Sequence, residues 1–226
     1  MARPRAMALP RAMTLPRAVD VVLSDRFVGA WRAAAAAAAR GTVVEFGFGS
    51  GLNLPHYSDA VERVLAVEPD DEAWAAALAS GRVGAFGRPV ERAGIDAADV
   101  PLADGSADSV VATWTLCSIA HIGPALAEAR RLLRSGGRLH LAEHSLAPTA
   151  RVAGVQRRLQ PTWGRLAGGC HLDRDIPALL SDGGFDPSGL TRRYLTRAAP
   201  LRPWTWFVAG AARPTDGSAG SDESAP

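Results

Sequence analysis

Glu45-Phe46-Gly47-Phe48-Gly49-Ser50-Gly51 follows directly on the apolar run Thr42-Val43-Val44, and its reading decides that of the whole chain. Thr42 to Phe46 has the length and content of a short buried strand, entered from Gly41. Glycines at alternate positions beyond a strand let the backbone take positive φ and approach a ligand closely. A helix following such a loop would present its free N–H groups to that ligand. A dinucleotide-binding loop wants its third glycine one place later, where Leu52 stands. A turn that merely needs glycines is the plainer alternative.

Outward from the loop the pattern alternates. Arg63 to Glu68 is a second strand, and Pro69-Asp70 turns it into a helix from Asp71 to Ala79. A third strand falls at Pro89 to Ala93. Ala107 to Thr115 carries Val110, Val111 and Ala112 in a near-continuous apolar run, as in a strand covered on both faces. The helix Pro124 to Leu133 has proline in its first turn and stops before Ser135-Gly136-Gly137. Arg138 to Glu143 is the fifth strand. Helices over Val152 to Leu166 and Asp175 to Asp182, then strands near Gly189 to Leu195 and Trp204 to Ala209, complete the domain. An N-terminal helix precedes it, Val19 to Arg40, with Val22, Phe27, Val28 and Trp31 on its apolar face. This alternation predicts an α/β domain with a seven-stranded, mostly parallel sheet and helices on both faces. Ligands then bind beyond the carboxyl ends of the strands.

The remaining composition sets limits. A chain of 226 residues is one domain with extensions: a flexible leader (1–17), the domain itself (18–213, with its N-terminal helix at 18–40 and an insertion at 144–182) and a disordered tail (214–226). No stretch approaches the roughly 18 apolar residues of a membrane span, nor does the leader hold the apolar core of a signal peptide. A net charge of +2 gives no reason to expect nucleic acid. Every Lys/Arg position is Arg, which together with the load of Ala, Gly and Pro reads as codon bias. Cys117 and Cys170 are far apart in unlike contexts, which speaks against a disulfide framework and for a reducing, cytoplasmic setting. Cys170-His171 has no second pair to complete a zinc set, so no metal is expected.

An acid followed by Gly-x-Gly-x-Gly resembles the first motif of class I S-adenosylmethionine-dependent methyltransferases, which implies a Rossmann-like fold. The resemblance implies that Gly47, Gly49 and Gly51 wrap the methionine part of S-adenosylmethionine and that Glu45 helps to orient its amino group. Glu68 stands about 20 residues after the loop, where a carboxylate can accept both ribose hydroxyls. Ile95-Asp96-Ala97 through Asp108 is similar to the family segment "D-A-x-x-L-P-F-x-D-G-S-F-D", which puts Asp96 and Ala97 beside the adenine and leaves Asp104 and Asp108 structural. Glu128 to Gly137 is similar to the helix end "E-x-x-R-V-L-K-P-G-G", with Ser135 in place of proline.

Three further segments, Trp114-Thr115-Leu116-Cys117-Ser118, Leu141-Ala142-Glu143-His144 and Gly168-Gly169-Cys170-His171-Leu172-Asp173-Arg174, resemble the subgroup related to animal alkyl thiol methyltransferases. Gly168 departs from it, replacing an acid. The resemblance implies a small-molecule acceptor, with a thiol first and a phospholipid amine or quinone-like ring as the rival. A silent cofactor-binding module and an NAD enzyme fit less well. His144, just after the fifth strand, is the candidate base, since histidine titrates near neutrality. A histidine that only holds the next loop is the other reading. Trp114, Cys117, Cys170 and His171 are the candidate substrate-pocket residues, and Trp31 and Trp163 serve either a pocket or the core. Arg151, Arg157, Arg158, Arg165 and Arg174 make the 144–182 insertion basic: a solvated face, or one for peripheral contact with anionic lipid or an acidic substrate.

Overall fold

The computed structural model describes residues 25–215. The leader, the first residues of the N-terminal helix with Val22, and residues 216–226 lie outside them. Helix α1 (Asp25–Ala36) is followed by β1 (Gly41–Phe46), β2 (Val61–Val67), α2 (Asp71–Ala79), α3 (Arg82–Phe86), β3 (Val90–Gly94), β4 (Ala107–Thr113), α4 (Ile122–Leu132) and β5 (Leu133–His144). Then come α5 (Ala150–Leu166), α6 (Ile176–Asp182), β6 (Phe185–Asp186), β7 (Leu190–Tyr194), α7 (Arg202–Thr205) and β8 (Trp206–Pro214). The sheet runs β3-β2-β1-β4-β5-β8-β6, with β7 also on β8. β1 to β5 pair in parallel, and β8 is antiparallel to β5, β6 and β7. The eighth strand is the two-residue β6, too short to leave a period in the sequence. Strand order reverses between β1 and β4, so their carboxyl ends flank the crevice where such sheets hold ligands.

Successive strand residues face opposite layers. Val44, Phe46, Val110 and Ala112 join Leu126, Leu132, Ile176 and Leu180 beneath α4 and α6. Val43, Val64, Ala66 and Val111 join Ala36, Ala39, Tyr57 and Ala77 on the other face. A third group seats α1 on the far half of the sheet: Val28, Trp31 and Ala35 against Trp114, Ala142, Phe207 and Ala209.

One expectation fails here. No α-helix follows the glycine loop; the β1–β2 crossover holds only a 3-10 turn, Leu54–His56. Pro55 sits within that turn, and Leu54 and Tyr57 pack in the same cluster as Ala36 and Ala39. The N-terminal segment covers the face that a crossover helix would otherwise cover. β5 also begins at Leu133 rather than Arg138, taking Ser135-Gly136-Gly137 into the strand across a register shift.

Candidate functional site

Gly47 and Gly49 turn the chain off β1 with φ of +67° and +57°. A Cβ at Gly47 would run into the Thr115 side chain. At Gly49 the same Cβ direction is open, with no protein atom nearer than 4.0 Å. Glu68, nearly buried, bridges this loop to the start of α2: one oxygen accepts from the Gly49 N–H at 2.6 Å and the other from the Asp70 N–H at 2.8 Å. Each oxygen keeps a further lone pair for a ligand hydroxyl. Asp70 in turn caps α2, accepting from Glu72 N and Ala73 N.

Glu45 lies beneath the loop rather than facing into the crevice. Its carboxylate accepts from Tyr57 Oη at 2.6 Å and Asn53 Nδ2 at 2.8 Å. Arg32 of α1 donates to Asn53 Oδ1 at 2.8 Å and Thr113 Oγ1 at 3.3 Å, and its guanidinium lies 5.0 Å from the Trp114 ring centroid. Burial pushes the Glu45 carboxyl up to about 7, opposed by the Tyr57 and Asn53 hydrogen bonds and by the charge of Arg32. Sequence reading missed Arg32, Asn53, Tyr57 and Thr113. The one available signal was an arginine beside Trp31 on an otherwise apolar helix face.

Beyond β3, Asp96 is exposed and accepts from Ala98 N at 2.9 Å, while Ala97 packs partly on the core. The 100–104 segment is clamped from α4. Glu128 accepts from Val100 N, and Arg131 donates to Val100 O, Leu102 O, Asp104 and Glu128. Asp108 accepts from Thr42 N and pairs with Arg134. The structural roles read for Asp104, Asp108 and the 128–137 segment thus have their contacts.

At the ends of β4 and β5 the chain makes a strained turn. Trp114 has φ +53°, among the described residues the one non-glycine with positive φ. A bulky side chain rarely adopts that conformation outside over-determined sites. Glu143, fully buried, fixes the turn by accepting from Thr115 N (3.0 Å), Leu116 N (2.9 Å) and Cys117 N (3.1 Å). Burial raises its carboxyl to about 7 against those three bonds. Glu143 was visible in the sequence only as the neighbour of His144.

The pocket expectations divide. Trp114 is a core residue that seats α1, and Trp31 belongs to the same group. The His171 ring turns to Asp173 at 3.6 Å on a partly exposed rim. Cys117, Cys170 and His144 do come together. The two sulfurs are 3.6 Å apart, and Cys170 Sγ is 3.4 Å from His144 Nδ1. This corrects the reading of the cysteines as unrelated. Spacing along the chain could not show it, because the three residues come from the end of β4, the end of β5 and the loop after α5. His144 Nε2 is 3.1 Å from Trp204 O, so neither ring nitrogen is open to an acceptor directly. The Cys170 thiol is held below the usual range by the Cys117 thiol and then by His144. Contact with Cys170 and burial push Cys117 up.

A methyltransferase domain family matches residues 44–141, the span from the glycine loop to β5. Residues 44–141 thus match a methyltransferase domain, within a chain that has the class I methyltransferase fold. Over 155 residues the chain is 33% identical to human thiol S-methyltransferase TMT1B, covering 67% of this chain and 62% of the relative. It is 28% identical over 165 residues to the demethylmenaquinone methyltransferase of Renibacterium salmoninarum, covering 72% and 59%. The chain thus spans less than two thirds of the length of these relatives. The fold is shared with a SAM-dependent methyltransferase of Methanosarcina mazei, at a TM-score of 0.60 and 18% identity over 80% of this chain and 95% of that one. Among the described residues, no helix is long and apolar enough to cross a membrane.

Proposed function

We propose that the chain is an S-adenosylmethionine-dependent methyltransferase whose acceptor is a small thiol. The observation that carries the cofactor assignment is the union of Glu68 with the Gly49 N–H beside the open face of Gly49. That union makes a cradle that a Cβ would partly fill, with a carboxylate at its edge. Gly47, Gly49 and Gly51 would line the methionine portion, Glu68 would accept the ribose hydroxyls, and Asp96 with Ala97 would border the adenine. Glu45 would hold the loop from below through Asn53 and Tyr57. The bound cofactor supplies a methyl group on a sulfonium, an excellent leaving centre, so the protein's task is proximity and in-line approach.

A free thiol has a pKa of roughly 8.5 and must lose its proton to attack. The Cys117–Cys170–His144 group lies beyond β4 and β5, the end of the sheet at which this reading puts the acceptor. With no cation in the group, His144 would act there through Cys170, because its Nδ1 faces that sulfur. The thiol preference is supported by the relatives' stated activity. A panel of thiols, amines and phenols with isotope-labelled cofactor, read by mass spectrometry, tests it: labelled thioether is expected. Label on a ring substrate alone would favour the quinone reading, which the Renibacterium relative supports. His144→Asn should slow thiol methylation most below the thiol's pKa, the loss shrinking as pH rises. A uniform loss across pH would make His144 a holder of the next loop only.

A further inference from the structure

We propose that Cys117, Cys170 and His144 form a binding site for a zinc-class divalent cation, with a fourth position open to water or to the acceptor thiol. The thiol's part in this rests on the reading above; the metal site does not. Two sulfurs and an imidazole nitrogen lie within 4.8 Å of one another. With Zn–S bonds of about 2.3 Å and Zn–N bonds of about 2.0–2.1 Å, a tetrahedral centre has S···S and S···N edges of about 3.8 and 3.5 Å. The observed separations are 3.6 Å between the sulfurs and 3.4 Å from Cys170 Sγ to His144 Nδ1. Two of the three edges match before any ion is bound, and the third, from Cys117 Sγ to the imidazole, lies within 4.8 Å.

The surroundings fit as well. Trp204 O can only accept, so His144 Nε2 carries a hydrogen, and in the neutral ring Nδ1 turns its lone pair toward the sulfurs. An imidazole that donates its far N–H to a backbone carbonyl is the usual outer partner of a metal-bound histidine. The backbone on either side is held: Cys117 N by Glu143, Cys117 O by His171 N at 2.7 Å, and Cys170 O by Gln160 Nε2 at 3.2 Å. The buried Trp163 indole N–H lies by Cys170 as a donor suited to an anionic sulfur. Both cysteines are buried, and two buried thiolates are costly unless a cation neutralises them. Thiolate and imidazole donors select zinc over magnesium or calcium. Two cysteines and one histidine make a three-ligand set, the kind that leaves a position for water or substrate. Binding would release the thiol protons to solvent, and a thiol entering the fourth position would lose its own in the same way. A disulfide explains only the sulfurs, which would have to close to about 2.05 Å, and not the contact of Cys170 with His144 Nδ1.

The test is a cobalt(II) titration of the reduced, chelator-treated full chain, followed by displacement with zinc. One equivalent of cobalt should give intense tetrahedral bands and sulfur-to-cobalt charge transfer, both abolished by zinc. Cys117→Ser and Cys170→Ser should each weaken binding by at least about 100-fold, the upper end of what loss of an outer-sphere partner does. Should either serine variant misfold by circular dichroism, His144→Asn serves instead, with charge transfer kept and affinity lowered. A folded, reduced chain that shows no bands overturns the site. So does a chain that binds no cobalt but joins Cys117 to Cys170 under mild peroxide. A small alkyl thiol should shift the bands, and unchanged bands would remove the acceptor from the fourth position. Cobalt bound with no thiol ever methylated would sink the thiol reading and leave the metal site standing. Thiol methylation by a chain that binds no cobalt would do the reverse.

Discussion

Glu68 holds two backbone N–H groups that belong to separate segments, so its removal loosens the glycine loop and the start of α2 together. Glu68→Ala should weaken S-adenosylmethionine affinity by about 1.5–3 kcal/mol, the scale of a hydrogen bond to a charged group. The rate at saturating cofactor should change far less; calorimetry beside initial rates separates the two, and unchanged affinity with collapsed turnover would exclude the role. Gly49→Val acts by another route: a branched Cβ enters the open face and the residue is strained at φ +57°. The variant should fold yet show no cofactor heat, and micromolar binding would move the cradle elsewhere. Both residues were legible because a motif fixes their place relative to a strand end. Arg32 and Asn53 were not, since a buried polar network closes only when α1 lies across the loop. Glu143 was hidden for a related reason. Its work is to receive three N–H groups from another strand's end, and no local pattern records an acceptor for distant backbone.

At the scale of elements, most of the sheet was readable because buried parallel strands are short apolar runs between helices. The absent β1–β2 helix was not, because the segment that replaces it in space lies earlier in the chain. The turn over residues 54–56 and α1 share one cluster, and sequence order does not disclose that exchange. Helix α5 carries a second feature of this kind, with a polar stripe facing inward. Gln156 accepts from Ala147 N and donates to Ser145 O and Pro203 O, and Gln160 accepts from Leu172 N at 2.7 Å while donating to Cys170 O. These side chains tie the helix to the segments bearing Cys170 and His144. Gln160→Leu should cost about 1–2 kcal/mol of stability and lower turnover, because Cys170 loses its anchor. Cofactor affinity should hold, since the proposed cofactor residues all fall between 45 and 97. Denaturant titration, calorimetry and rates on one preparation decide it; affinity falling in step with turnover would show that the two halves are not separable.

For the whole molecule, pH acts through buried groups of opposite sign. His140, on β5, is 3% exposed, and burial, then the charges of Arg138 and Arg40, lower it from 6.5 to about 4. Between those values the unfolded chain holds a proton that the native chain refuses, so this contribution to stability rises with pH and is complete above 6.5. Glu45 and Glu143, raised from 4.5 to about 7, do the opposite: their native forms keep protons the unfolded chain has lost, and stability falls as pH rises through that window. His140→Leu isolates the first effect. The wild-type-minus-variant difference in unfolding free energy should climb from pH 4 to 6.5 by up to about 3 kcal/mol and then level off. Urea titrations across that range check it, and a flat difference would mean that His140 is charged in the fold. The placement of β8 bears on how the chain comes off the ribosome. It lies between β5 on one side and β6 and β7 on the other, while Phe207 meets the His144 ring edge-on and Trp204 just before it holds that ring. Until residues 204–214 emerge, a nascent chain has an open β5 edge and a β7 without its partner, the kind of exposed strand that recruits other chains. The β5 edge that carries His144 is therefore finished last, and a polypeptide halted before Trp204 would present an aggregation surface beside the proposed acceptor site.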